Sequence, residues 1–256
     1  MKLLTAAVAV LAAALLCGCS AIGPTHPVPP GTPVAQTPWA TAGARYGSEW
    51  AHFKLPGKRG VDFRYVRNEG RDAVAATSVS AASMLRKPVR IEAHDLGSVR
   101  FSWKVPELIA QADLALRDLA DSPVRIVLAF EGDRSRFSMR DAMTAELAYT
   151  LTGETMPYAT LMYVWCNVRP PGTVIRSPRT DRIRKLVVES GSANLNRWLD
   201  YERDIRADYM QAFGEPPGAL VGIAIMTDSD NTRTRTRAWY GPARLVPSAA
   251  FVPSAH

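Results

Sequence analysis

The sequence predicts a mainly β fold, an antiparallel β-sandwich with about three covering helices. Three observations lead there. Short apolar runs recur along the chain at strand periodicity, separated by turn residues. The run 219–226 is continuously apolar and rich in β-branched residues, which reads as a strand buried on both faces. The three cysteines, Cys17, Cys19 and Cys166, leave an exported domain no internal bridge, so its stability must come from a core.

The N-terminus is a targeting segment. Lys2 precedes the apolar run 3–16, which is too short to span a bilayer. Leu16-Cys17-Gly18-Cys19 resembles a bacterial lipobox, so residues 1–18 are expected to be a lipoprotein signal and Cys19 the lipidation site. Each buried CH₂ contributes about 0.8 kcal/mol, so several acyl chains on one cysteine anchor almost irreversibly. Ser20 stands where Asp would retain the protein in the inner membrane. The expected location is therefore the outer membrane, facing the periplasm. Residues 19–44 contain six prolines among Gly, Thr and Ala and read as an extended tether.

A single sandwich domain is expected over 45–256, a length that suits one large core. The chain carries 31 basic and 24 acidic residues, net +7, and about +6 once Lys2 leaves with the signal. That surplus suits an anionic partner such as an acidic glycan or a lipid head group.

Strands are expected over 61–67, 72–78, 89–93, 99–105, 124–130, 160–165 and 185–189. In 99–105, Val99, Phe101, Trp103 and Val105 alternate with polar residues, a half-buried antiparallel pattern. The run 219–226, the turn 227–232 and the strand 234–245 read as a closing hairpin. Helices are expected over 106–119, opened by Pro106, and over 138–151, capped by Ser138 and closed near Gly153. A third is expected over 193–213, stopped by Gly214 and Pro216-Pro217, with Glu202 and Arg206 one turn apart.

Several function classes are excluded by what is missing. There is no G-x-S-x-G, H-E-x-x-H, phosphate-cradling glycine loop or mature C-x-x-C. His52 and His94 lack local partners, which argues against a histidine triad or a multi-histidine metal site. No cofactor is implied. Glu189, Glu202, Asp228 and Asp230 keep a carboxylate-pair glycosidase open as the alternative reading.

Asp228, Asp230 and Asn231 supply hydrogen-bonding groups on a turn held by a buried strand, which makes them candidate ligand contacts. They are also turn formers and partial calcium ligands, although the rest of a calcium loop is missing and no metal is expected. Trp165 and Asn167 at a strand end form a candidate stacking platform. Arg233, Arg235 and Arg237 alternate with threonines, so an extended chain projects all three from one face. Guanidinium forks match phosphate and carboxylate. Cys166 reads as a small buried apolar residue.

The blocks FSWKVP (101–106), SPVRIVLAFEGD (122–133), YATLMYVW (158–165), KLVVESG (185–191), YERDIRADYMQAFGEPP (201–217) and GIAIMTDSDNT…AWYG (222–241) carry a resemblance. From about Trp50 to Leu245 the chain is similar to the bacterial domain-of-unknown-function 3047 family. The resemblance implies an exported, galactose-binding-like β-sandwich and no established activity. The order of blocks also resembles carbohydrate-binding jelly rolls, an analogy of fold alone. The expected function is a non-catalytic envelope binding module for a glycan or other anionic polymer. A glycan-active enzyme is the alternative, and a structural or assembly partner comes third. Membrane contact is expected through the lipid anchor only. Nucleic acid does not suit an exported lipoprotein, and no signal sets an oligomeric state.

Overall fold

The computed structural model describes residues 29, 31–43 and 49–248. The signal, Cys19 and most of the tether lie outside the described residues. In chain order the strands are β1 (Ala51–Lys54), β2 (Asp62–Asn68), β3 (Arg71–Val79), β4 (Ala82–Ile91), β5 (Ser98–Lys104), β6 (Ser122–Phe130) and β7 (Ala159–Cys166). β8 (Val174–Arg176), β9 (Ile183–Ser190), β10 (Leu199–Asp204), β11 (Leu220–Asp228), β12 (Arg235–Tyr240) and β13 (Arg244–Val246) follow. The helices are α1 (Pro38–Thr41), α2 (Met139–Thr152) and α3 (Ile205–Phe213).

Two sheets stack as a jelly-roll β-sandwich, as the sequence predicts. The seven-stranded sheet runs β1-β4-β11-β6-β7-β9-β8 and the six-stranded sheet β10-β5-β12-β3-β2, with β13 also on β5. The described pairs are antiparallel except β7 with β9. The main core fills the space between the sheets. Phe101 stacks on Tyr163 at 5.6 Å, and Phe130 meets Tyr209 at 4.7 Å. The buried Tyr240 hydroxyl donates to the Met226 carbonyl at 2.6 Å and so ties one sheet to the other.

Four expectations are corrected. The closing hairpin is not one, because β11 lies in the seven-stranded sheet and β12 in the six-stranded sheet. The acidic turn is a crossover between layers. The strand 234–245 is also broken at Gly241, where a Cβ would meet the Ser102 hydroxyl at 2.1 Å. Residues 106–116 are short turns in otherwise irregular chain, and only Arg117–Leu119 forms a short 3-10 helix. There the Asn167 amide donates to the Ile109 and Ala112 carbonyls, at 2.8 and 3.1 Å, and the Asp113 carboxylate accepts from the Ala115 N–H at 2.9 Å. Side chains thereby satisfy groups that a helix would have paired internally.

The long helix over 193–213 is β10 followed by α3. Leu199, Tyr201 and Arg203 alternate and pair with β5, and Asp204 caps α3 by accepting from the Ala207 N–H at 3.0 Å. Glu202 accordingly pairs with Arg100 at 2.9 Å across the sheet rather than with Arg206. Ser138 and Gly153 bound α2 as the sequence predicts. Finally, the end of the tether belongs to the domain. Trp39 is 1% exposed, packs on Trp50 at 4.9 Å and donates to the Tyr240 carbonyl at 2.8 Å.

Candidate functional site

The strands at the centre of the seven-stranded sheet are apolar on both faces, but only the inner face meets a second sheet. On the outer face, Met84, Met162 and Met226 join Val127, Ala224 and Ile183. They floor a cavity of about 820 Å³, within the range of small-molecule sites. The loops before β6 and before β9 form one rim, and the segment around Phe53 and Leu55 forms another.

α2 bridges this cavity with both ends pinned. At its N-terminus Asp141 is buried and accepts from the Thr180 hydroxyl and, at 3.0 Å, from the Asp181 N–H. Just past its C-terminus Glu154 pairs with Arg86 through two bonds of 2.5 and 2.6 Å. Leu147, Ala148 and Leu151 face the cavity, yet Met143 and Leu147 remain 68% and 60% exposed. The helix therefore presents apolar side chains that the fold leaves open.

One pole of the cavity is charged. Arg125, 4% exposed on β6, pairs with Asp228 on β11 at 3.0 Å. Burial pushes the Asp228 carboxyl up to about 7, against the opposing pull of Arg125. Asp121 is also buried. Burial would raise its carboxyl, but donors hold it below the usual range: the Thr232 hydroxyl and N–H at 2.6 and 2.7 Å and the Asn231 amide at 2.7 Å. Asp230 pairs with Lys58. Lys185 of β9 is 4% exposed at the cavity floor, and burial, then repulsion from Arg125, lowers its ammonium to about 7.

Asp121, Asp228 and Asp230 bring one oxygen each within 4.8 Å of one another. Each also has a cation or hydrogen-bond donor of this chain as its partner, which accounts for the cluster without an ion. The three stand side by side at one pole. A glycosidase instead needs two carboxyl groups flanking the bond to be cleaved. Of the other candidate carboxylates, Glu202 lies on the six-stranded sheet, and Glu189 accepts from the Tyr201 hydroxyl at 2.8 Å. Neither lines the cavity.

The structure divides the predicted site residues. Asp228, Asp230 and Asn231 line the cavity together. Trp165 does not: it is 1% exposed between the sheets and donates to the Gly191 carbonyl at 3.0 Å, so it offers no ring face to a ligand. Asn167 is committed to the 106–116 turns. Arg235 and Arg237 project from β12 in the other sheet, and Arg233 sits in the crossover at φ 55°. None of the three arginines lines the cavity. His52 and His94 do not line it either. Cys166 is buried on the outer-face cluster, as expected.

Sequence reasoning missed Arg125, Lys185 and Asp121. A signal for the first two was present. Arg125 is a lone charge inside SPVRIVLAF, and Lys185 opens the run KLVVES after two arginines. A charge within a doubly buried strand must be paired or placed at a site.

The family described as "Protein of unknown function (DUF3047)" matches residues 48–244. No curated protein matches the chain. Among solved structures it is similar to the xyloglucanase domain of NopAA, a type three effector from Sinorhizobium fredii in complex with cellobiose. That match has 9% identity and a TM-score of 0.42, covering 78% of this chain and 93% of that one. A native family 12 xyloglucanase from Bacillus licheniformis matches at 7% identity and a TM-score of 0.39, covering 77% and 100%. A CBM4 structure matches at 10% identity and a TM-score of 0.35, covering 78% and 87%.

Proposed function

This chain belongs to the DUF3047 family, and from that premise we propose that it is a non-catalytic binding module whose ligand lies in the outer-face cavity. The observation that carries this reading is the lining. Among the described residues that line the cavity, Phe53 has the one aromatic ring, and the Arg86 guanidinium lies 4.0 Å from its centroid. Methionine, aliphatic and proline side chains make up about half of the remaining lining and supply its floor, and methionine adapts to apolar ligands of varied shape. Sugars need open ring faces. An elongated amphiphile needs an apolar floor with a charged group in reach of its head. This cavity has an apolar floor with Arg125 and Lys185 at one pole and the Arg86–Glu154 pair on its rim. The same reading keeps Cys19 as the lipid anchor, the outer membrane as the location and one domain, which begins before residue 45 with the stretch that carries Trp39.

Titration calorimetry of the full chain with decanol and decanoate tests the proposal. Saturable binding of at least one is expected, and Met162→Trp, which fills the floor, should weaken it about tenfold or more. If neither binds, or if the variant binds as well as wild type, the cavity is not the site.

A glycan is the second reading, on the outer face of the six-stranded sheet. There Trp198 and Trp239 are half-buried, with Arg71 5.3 Å from the first ring and Arg237 4.7 Å from the second. Retention on peptidoglycan or lipopolysaccharide that Trp239→Ala abolishes and Met162→Trp spares would favour this face.

A further inference from the structure

Lys185 is buried at the cavity floor without a counterion. An ammonium has three donors, and the described acceptor is the Leu114 carbonyl at 2.6 Å. Among the described residues no carboxylate lies within ion-pair distance of it. The charged groups that face it are Arg125 from β6, Asp228 from β11, Arg179 from the loop before β9 and Asp113 from the loop before β6. Both carboxylates are already engaged. Asp228 pairs with Arg125, and Asp113 holds Arg169 through bonds of 2.6 and 3.1 Å. The buried Nε of Arg125 has no partner among the described residues. Arg117 and Arg179 line the same rim, and neither has an acidic partner among the described residues.

A buried ammonium without a counterion is strongly disfavoured, so such a group sheds its proton or gains a compensating anion. We propose that the compensating group is the ligand: the cavity takes an amphiphile whose anionic head, a carboxylate or phosphate monoester, pairs with Lys185. Arg179 and Arg117 flank the head, and the apolar tail lies along Met162, Met226 and Ile183. This assignment rests on the amphiphile reading of the cavity and adds the head group to it. Because Lys185 is partly uncharged just above neutrality, an arriving anion draws a proton onto it. Affinity therefore falls as pH rises above about 7. Ionisation of Asp228 over the same range acts in the same direction.

The test compares decanol, decanoate, decyl phosphate and inorganic phosphate on the full chain by calorimetry, in two buffers of different ionisation enthalpy. At pH 7.5 or so, decanoate and decyl phosphate should bind about tenfold or more tightly than decanol, with proton uptake. Lys185→Met should bring decanoate to the decanol affinity and diminish the uptake. Arg179→Ala, on an exposed loop, should weaken decanoate severalfold and checks the head group independently of any folding effect at Lys185. Equal affinities for decanol and decanoate in wild type would overturn the head-group assignment and leave the cavity reading standing. So would a decanoate preference that survives both substitutions. Inorganic phosphate binding as tightly as decyl phosphate would remove the role of the tail. If none of the chain amphiphiles binds, the cavity reading itself fails.

Discussion

The two faces of the seven-stranded sheet are built from the same strands and do different work. β7 is buried at every residue. Its inward side chains, Leu161, Tyr163 and Trp165, meet the six-stranded sheet, where stiff rings lock against one another. Its outward side chains, Met162, Val164 and Cys166, meet no second sheet and join a looser cluster around the cavity. Arg125 and Lys185 stand on the outer face alone. The difference teaches that burial on both faces of a strand has two causes. One face is closed by the second sheet, and the other is covered only in part, by α2 and the flanking loops around a cavity.

The sharpest way to break this comparison is to truncate residues on each side, two in the inner core and one at the cavity. Trp39→Ala on the inner core should cost about 3–5 kcal/mol and Leu161→Ala about 2–5 kcal/mol. Met162→Ala, one residue along on the cavity side, should cost about 2 kcal/mol, the low end for a buried methionine, because an existing void enlarges rather than a new one forming. Urea denaturation measures all three, and equal losses at Leu161 and Met162 would erase the distinction.

Next in size is the polar end of the outer face. Asp121→Ala should cost about 2–3 kcal/mol, since it strips the crossover turn of its acceptor and leaves buried donors unpaired. A thermal shift indistinguishable from wild type would mean that the turn holds itself.

Lys185 sharpens the contrast through pH. Its folded value is depressed to about 7. Between there and the ordinary lysine range the unfolded chain binds more protons, so this group makes stability rise with pH. Lys185→Met should therefore gain most below pH 7 or so, and the gain should shrink towards pH 10 or so. Asp228 acts in the opposite sense. Its raised value makes stability fall as pH climbs from the ordinary carboxylate range to about 7. Wild type without ligand should thus show a minimum near neutrality that Lys185→Met distorts on the alkaline side. A pH-independent difference would mean that Lys185 is not the titrating group.

The smallest effect belongs to the arginines of the other sheet. Replacing Arg233, Arg235 and Arg237 by Ala should change stability by about 0.5 kcal/mol or less and leave decanoate affinity as it was. A loss of cavity binding would connect two layers that the geometry separates.

Local patterns in the sequence determined much of this molecule. The continuous run 219–226 became a central buried strand, and the alternation of 99–105 became β5. Ser138, Gly153 and Gly214 sit at the ends of the helices they were expected to bound. Each of these depends on one turn of helix or one strand, where hydrogen bonds and side-chain direction are set by near neighbours. Tertiary structure decided what each segment pairs with. Residues 199–204 fit helical spacing and strand alternation alike, and the open edge of β5 settled them as a strand. Trp39 sits in a proline-rich stretch that reads as tether, and only the sandwich supplies its burial and the Tyr240 carbonyl it bonds. Asp228 and Arg237 are close in sequence, yet they end on different sheets because the turn between them crosses layers. The cavity is the furthest from local reading. Asp121 immediately precedes β6 and Arg125 lies in it, Lys185 comes from β9 and Asp228 from β11, and distant strand pairing, which no short pattern encodes, brings them to one pole.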